Sequence, residues 1–275
     1  MEFENSNDVL ELDQIRHEII ALNEEEISDY ITERKRKLSE NSISGGGYNK
    51  QASKGTVREA FFSEDEIIYP GHNKAGFRID DDSLYEVTVR EVKEIEDEDW
   101  HGLESVIWVM HSVLSEYFSL MDLKCQNLKN KKIRKQKFYE PNNTIYSISN
   151  LRNSYTACTE VAAVGHNLAK FLGLDSLYAV GIFKAYSQDR NAGDYESYSH
   201  SFIILNRQKI VDFHLQQFDY DDDRNPKSSA PVVVDINGQT DLDESGVVTM
   251  IGNNFCTHNN NQVDVEYIAY SILAF

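Results

Sequence analysis

Cysteine and proline are scarce, with three and four copies in 275 residues. Cys125, Cys158 and Cys256 are too few for a disulfide scaffold, and the odd count leaves at least one thiol unpaired within the chain. There is no C-x-x-C pair and no His/Cys cluster at zinc spacing, so neither a metal nor a cofactor is expected. Basic residues are outnumbered, 27 Lys and Arg against 46 Asp and Glu, for a net charge of −19. A field of that sign repels phosphate, which excludes a general nucleic-acid binder and disfavours docking on anionic lipid. Solubility is the plain reason for the acidity. Apolar runs are broken by Ser, Glu or His every few residues, so no membrane span is expected. The start, Met1-Glu2-Phe3-Glu4-Asn5, has no basic region followed by an apolar run, and no ordinary secretory signal is expected. The expected working place is a cytosol, either the cell's own or that of a host or target cell reached without a Sec signal.

What remains reads as an arm, a linker and one domain. In residues 1–43, Ile15, Ile19, Leu22, Tyr30, Ile31 and Leu38 fall roughly on one helical stripe, with Glu24-Glu25-Glu26 ahead of Arg34-Lys35-Arg36-Lys37. The segment is read as a helical or flexible arm, available to a docking partner. Ser42 to Gly55 contains three consecutive glycines, so 44–56 reads as a Gly/Ser-rich linker. The domain then runs from 57 to 275. Within it, Tyr85 to Val92 alternates with period two and predicts a strand. Asp97 to Leu123 predicts one long helix that carries Trp108 and His111, the latter as a packing residue. Lys129 to Lys137 holds six basic residues in nine, read as a solvated loop or a dock for an acidic partner. No repeat of 20–50 residues is present.

Residues 150–215 carry the chemistry. Val161, Val164, Leu168, Phe171 and Leu172 mark one helix face ending at Gly173, a natural residue for the turn after a helix. Thr156 as N-cap puts Cys158 in the first turn, where free backbone N–H groups and the positive dipole end favour thiolate. The same N–H groups suit an oxyanion forming on an attacked carbonyl. Leu177 to Phe183 predicts a strand and Lys184 to Ser199 a polar loop; His200 then opens a strand that turns at Asn206-Arg207-Gln208-Lys209 and returns through Asp212. Such a hairpin sets Asp212 within about one pair of His200, close enough to hold its tautomer. His214, on the same strand face as Asp212, competes with His200 for the base role. His166 is placed on the polar side of the Cys158 helix. Asp219, Asp221, Asp222 and Asp223 read as a solvated acidic loop, and Val232 to Gln239 as a hairpin about Asn237-Gly238.

The pattern Arg152…Cys158-x-x-x-Ala162, Leu172-Gly173-Leu174, Val180-Gly181, His200-Ser-Phe and Val211-Asp212 resembles the transglutaminase-like branch of the papain-like cysteine enzymes. The resemblance covers Leu151 to His214. It implies an α+β fold with a papain/transglutaminase-like core, in which Cys158 is nucleophile, His200 general base and acid, and Asp212 the orienting carboxylate. It implies acyl transfer from an amide of a protein substrate through a Cys158 thioester. Glutamine side-chain deamidation or transamidation leads that reading, with a bacterial protein-glutamine deamidase, effector or toxin as the model. Asn150, Asn153 and Gln136 are the side-chain candidates for the oxyanion. Two alternatives stay open: a cysteine protease of the same fold, and a non-catalytic interaction module with Cys158 as a structural thiol. The latter draws on Thr156-Ala157, which stand where the family commonly has Gly before the nucleophile.

Overall fold

Leu12, Ile15 and Ile19 recur at helical steps and are all at least 95% buried. They lie on α1 (Ser6–Ala21), which is followed after a short turn by α2 (Ile27–Asn41), whose Ile27 and Ile31 are also buried. The computed structural model describes residues 6–41, 61–63, 66–70, 76–120, 145–153, 156, 158–186, 195–214, 231–236, 248–250 and 264–274. The architecture is α+β, with all six strands of the large sheet following the last described helix in the chain.

The apolar stripe expected of an arm is part of the main core. Leu12, Ile15, Ile19, Ile27 and Ile31 join one hydrophobic cluster with residues from every other helix and from the large sheet. Polar contacts fix the same docking. The Arg16 guanidinium donates to the Ile95 carbonyl at 2.9 Å, meets Asp97 at 2.8 Å and lies over the Trp100 ring, while Trp100 Nε1 donates to Asp13 at 2.9 Å. Arg34 Nε donates to the Phe171 carbonyl at 2.9 Å. The Gly/Ser-rich stretch 44–56 lies outside the described residues.

Tyr85 to Val92 is helical, within α3 (Ser83–Glu94), and not a strand. Its buried residues Leu84, Tyr85, Thr88, Val89 and Val92 fit a helix face as well as an alternation, and packing overrides the β-branched propensity. Asp81 starts the helix by accepting from Ser83 N at 3.1 Å and Ser83 Oγ at 2.7 Å; its other oxygen accepts from Tyr117 at 2.5 Å. The single helix expected from Asp97 to Leu123 is broken. A 3-10 turn at Asp97–Asp99 leads through Gly102, with φ +56°, into α4 (Leu103–Tyr117), and Ser119 at φ +50° closes it. The left-handed Gly102 explains the break.

Strands β1 (Phe61–Ser63), β2 (Glu66–Pro70), β3 (Gly76–Arg78) and β4 (Ile145–Ser147) form a small sheet in that order, antiparallel except for the β3–β4 pair. Helix α5 (Cys158–Phe171) follows. The large sheet contains β5 (Ser176–Tyr186), β6 (Tyr195–Leu205), β7 (Lys209–Asp212), β8 (Val232–Asp235), β9 (Val248–Met250) and β10 (Asp264–Ala274). Their order is β8-β7-β6-β5-β10-β9, antiparallel throughout. Of the polar loop expected from Lys184 to Ser199, both ends are strand, because β5 extends to Tyr186 and β6 begins at Tyr195; residues 187–194 lie outside the described residues. The described partner of β8 is β7, and the turn at Asn237-Gly238 lies outside the described residues.

Gly173 ends α5 as the sequence predicts. Its φ is +83°, Gly173 N donates to the Lys170 carbonyl at 3.0 Å, and Leu174 N reaches back to Ala169 at 2.9 Å. A Cβ added there would lie 2.1 Å from Ile15 Cδ1, so the turn is also the seat of α1. Gly173→Ala is expected to cost about 1–3 kcal/mol from the left-handed backbone and the displaced Ile15. Ile19→Ala is expected to cost about 2–5 kcal/mol. Both losses should appear in one cooperative denaturation transition of the whole protein; an Ile19→Ala midpoint equal to the parent's would show that α1 is not part of the core.

Candidate active site

Cys158 is the first residue of α5. The N-cap position is therefore 157, outside the described residues, and Thr156 stands one residue before it, not at the cap. Cys158 still occupies the first turn, where backbone N–H groups lack intrahelical partners. Glu160 adds an acidic side chain to that turn, which suits the dipole, yet it is fully buried. Burial is general here: every residue from Cys158 to Ala169 is buried, so α5 is a central helix and not a one-faced one. His166 is correspondingly buried and not on a polar side; its Nδ1 pairs with Ser176 Oγ at 2.9 Å. Burial, with a smaller contribution from Lys170, pushes it down to about 3, so the ring is neutral at ordinary pH.

His200 and Asp212 come from adjacent strands. The β6–β7 register pairs Ile203 with Val211, Ile204 with Ile210 and Leu205 with Lys209. Continued by one pair, it sets Asp212 opposite Phe202, two residues from His200 and on the same face. The side chains meet: His200 Nε2 lies 2.6 Å from Asp212 Oδ2, with both residues 1% exposed. Asp212 Oδ1 accepts from the backbone N of His214 at 2.9 Å. His200 is mid-strand, not at a strand start.

Cys158 faces the same ring. Burial lowers the His200 pKa, but the Asp212 carboxylate, the Cys158 charge and hydrogen bonds from both raise it to about 10. With Nε2 committed to the carboxylate, Nδ1 is the ring nitrogen left for the sulfur. Burial would raise the Asp212 pKa, yet the charge and hydrogen bond of His200 and the His214 N–H hold it below the usual carboxylate range. The chemistry open to this arrangement is an imidazolium between two anions, a carboxylate and a thiolate. At 7% exposure Cys158 is the least covered of the three.

The structure thus brings together Cys158, His200 and Asp212, and adds His214 in a different role. The His214 ring points its Nε2 at the Thr156 carbonyl, 3.2 Å away, and its centroid is 6.5 Å from that of His200. Among the described residues its ring makes no hydrogen bond to a carboxylate. His111 packs, as expected: it is buried and stacks on Phe213 at 6.4 Å. Of the oxyanion side chains, Asn150 and Asn153 are exposed, and Asn153 is engaged with Ser119 Oγ at 2.7 Å near the end of α4. Gln136, Cys125, Cys256, the acidic cluster at Asp219 to Asp223 and the basic run Lys129 to Lys137 lie outside the described residues. Sequence reasoning missed the burial of Glu160 and the Thr156 carbonyl as a hydrogen-bond acceptor; neither has a periodic signal. Among the described residues no group of His, Cys, Asp and Glu is arranged to hold a metal, and no helix is long and apolar enough to cross a membrane. No protein-family model and no curated protein matches the chain.

The buried histidines set opposite pH slopes. Unfolded, a histidine takes its proton near about 6.5. His166 resists protonation until about 3, so its contribution is complete above the unfolded value and is lost as pH falls. His200 is raised to about 10, so its contribution is complete below the unfolded value and is lost as pH rises through about 10. His166→Gln should flatten the acid side of a stability–pH curve by up to about 1.4 kcal/mol per pH unit below pH 6. Chemical denaturation across that range measures it, and an unchanged acid slope would contradict the neutral buried ring.

Proposed function

We propose that this protein is a thiol-dependent acyl-transfer enzyme acting on an amide of a protein substrate, built on a papain/transglutaminase-like core. The observation that carries the reading is one imidazole held between a buried carboxylate and a thiol at the first residue of a helix. Three roles follow. Asp212 fixes the His200 tautomer and stabilises its charge, His200 moves the proton, and Cys158 attacks.

The Cys158 sulfur adds to the amide carbonyl carbon, and the carbonyl electron pair moves onto oxygen, facing the N–H groups of the first turn of α5. Collapse of that adduct breaks the C–N bond, and the departing nitrogen takes the proton from His200. The acyl group remains as a thioester. Water then attacks the thioester while His200 accepts its proton, which releases acid and thiolate. For a glutamine side chain the products are ammonia and glutamate; an amine in place of water gives transamidation. We favour a protein side chain as the substrate and a cytosol as the setting, including that of a target cell. A cysteine protease differs only in which amide is admitted.

A second reading is a non-catalytic module, and the near-complete burial of Cys158 favours it. Intact-mass measurement of candidate proteins after incubation separates the possibilities. A gain of about one dalton per site means deamidation, fragments mean proteolysis and ladders mean crosslinking. Cys158→Ala is expected to abolish the change, and Asp212→Asn to slow it by about 10²–10⁴-fold. Full activity in Cys158→Ala would end the proposal.

A further inference from the structure

A histidine that is neither base nor surface residue is the feature left unexplained. His214 is 4% exposed and sits two residues beyond Asp212. Its main chain and its ring face different parts of the site. The backbone N–H donates to Asp212 Oδ1 at 2.9 Å, on the oxygen that His200 does not use. The ring Nε2 lies 3.2 Å from the carbonyl of Thr156, two residues before Cys158. A carbonyl only accepts, so Nε2 must carry a proton. The groups facing the ring are Cys158, His200, Asp212 and the Thr156 carbonyl. Burial lowers the His214 pKa foremost; the charges of Cys158 and Asp212 raise it and the His200 charge lowers it, with the net shift downward. A neutral ring with its hydrogen on Nε2 leaves Nδ1 a bare acceptor, buried without a partner among the described residues. An apolar residue of similar size would avoid that cost, so packing alone does not account for a histidine here.

We propose that His214 is a positioning residue that clamps the end of the acid-bearing strand to the turn entering the nucleophile helix, through its backbone N–H to Asp212 and its ring N–H to the Thr156 carbonyl. The two halves of the site arrive from distant parts of the chain, and the spacing between thiol and imidazole depends on how they are joined. Phe213 reinforces the joint: a Cβ added at Gly165 of α5 would lie 3.1 Å from its ring. The role rests on the acyl-transfer reading for its purpose, but it can be tested without turnover.

The test is the iodoacetamide labelling rate of the Cys158 peptide, followed by mass spectrometry across pH, in the full chain and its variants. His214→Leu removes the ring donor and keeps the backbone one. It should lower labelling near pH 6 by about ten-fold, the effect of one lost neutral hydrogen bond, and leave the rate at high pH unchanged. His214→Gln offers a neutral N–H to the same carbonyl and should restore most of the acid-side labelling. A His214→Leu profile that superimposes on the parent's would overturn the clamp. So would a His214→Gln profile as depressed as that of His200→Gln, which would make the ring itself the partner of the thiol. Ring-nitrogen NMR of the unmodified protein gives an independent reading, should His214→Leu fail to fold. Neutral His214 with hydrogen on Nε2 near pH 7 is expected, and a charged ring or hydrogen on Nδ1 would also overturn the clamp. If parental Cys158 labels only as an ordinary thiol, the acyl-transfer proposal fails, while the NMR result still decides the clamp.

Discussion

A carboxylate removed from water must be paired, and Asp212 is paired on both oxygens. One meets the His200 ring at 2.6 Å and the other the His214 backbone N–H at 2.9 Å. Left alone, a buried carboxyl would take up a proton and become neutral. Here the hydrogen bonds keep it charged, and its charge keeps His200 charged in turn. Removing either partner would strand a charge in a dry interior, which is far costlier than losing a surface pair. The rest of the site is arranged around this one pair: a strand register that brings the two side chains together, and a helix whose first residue, Cys158, faces the same ring.

The tripeptide Asp212-Phe213-His214 joins three layers. Asp212 turns to the strand beside it, Phe213 packs on Gly165 and stacks with His111, and His214 reaches the Thr156 carbonyl. The strand ends at Asp212 and the chain bends at Phe213 and His214, which lets neighbouring residues face different elements. The placement of Cys158 is therefore tied to core packing through α5, and α5 is tied to the N-terminal helices through Gly173, Ile15 and Arg34. A stability change at α1 is transmitted to the first turn of α5 by contiguous packing.

The sequence was most informative where a local rule has a single solution. Gly173 is readable because only glycine takes its φ cheaply, and the His200 to Asp212 hairpin is readable because a short turn fixes the register. It was least informative where tertiary contact decides between solutions of similar local merit. Tyr85 to Val92 satisfies both periods, and only its burial against α1 and α4 makes it helical. Residues 1–43 look like a charged arm because their apolar stripe is narrow; that Ile15 fills the space above Gly173 has no trace in the local pattern. His166 and Glu160 look solvent-facing by type, and only the full burial of α5 places them inside.

The choice of base shows the same limit at the scale of one proton. His200 and His214 are both buried, with ring centroids 6.5 Å apart, and type or spacing alone does not separate them. Their partners do. The His200 ring meets a carboxylate, so its charged form is stabilised against burial. The His214 ring meets a neutral carbonyl, and burial with the charge of His200 prevails over the raising charges of Cys158 and Asp212, so the ring stays uncharged. Two imidazolium ions this close would repel in a medium that screens poorly, so charging one suppresses the other. Environments that drive two like groups apart in proton affinity assign them different work. Under the proposed acyl transfer, His200 is the group that would exchange a proton with sulfur, and His214 the group that would hold a fixed hydrogen bond during that exchange.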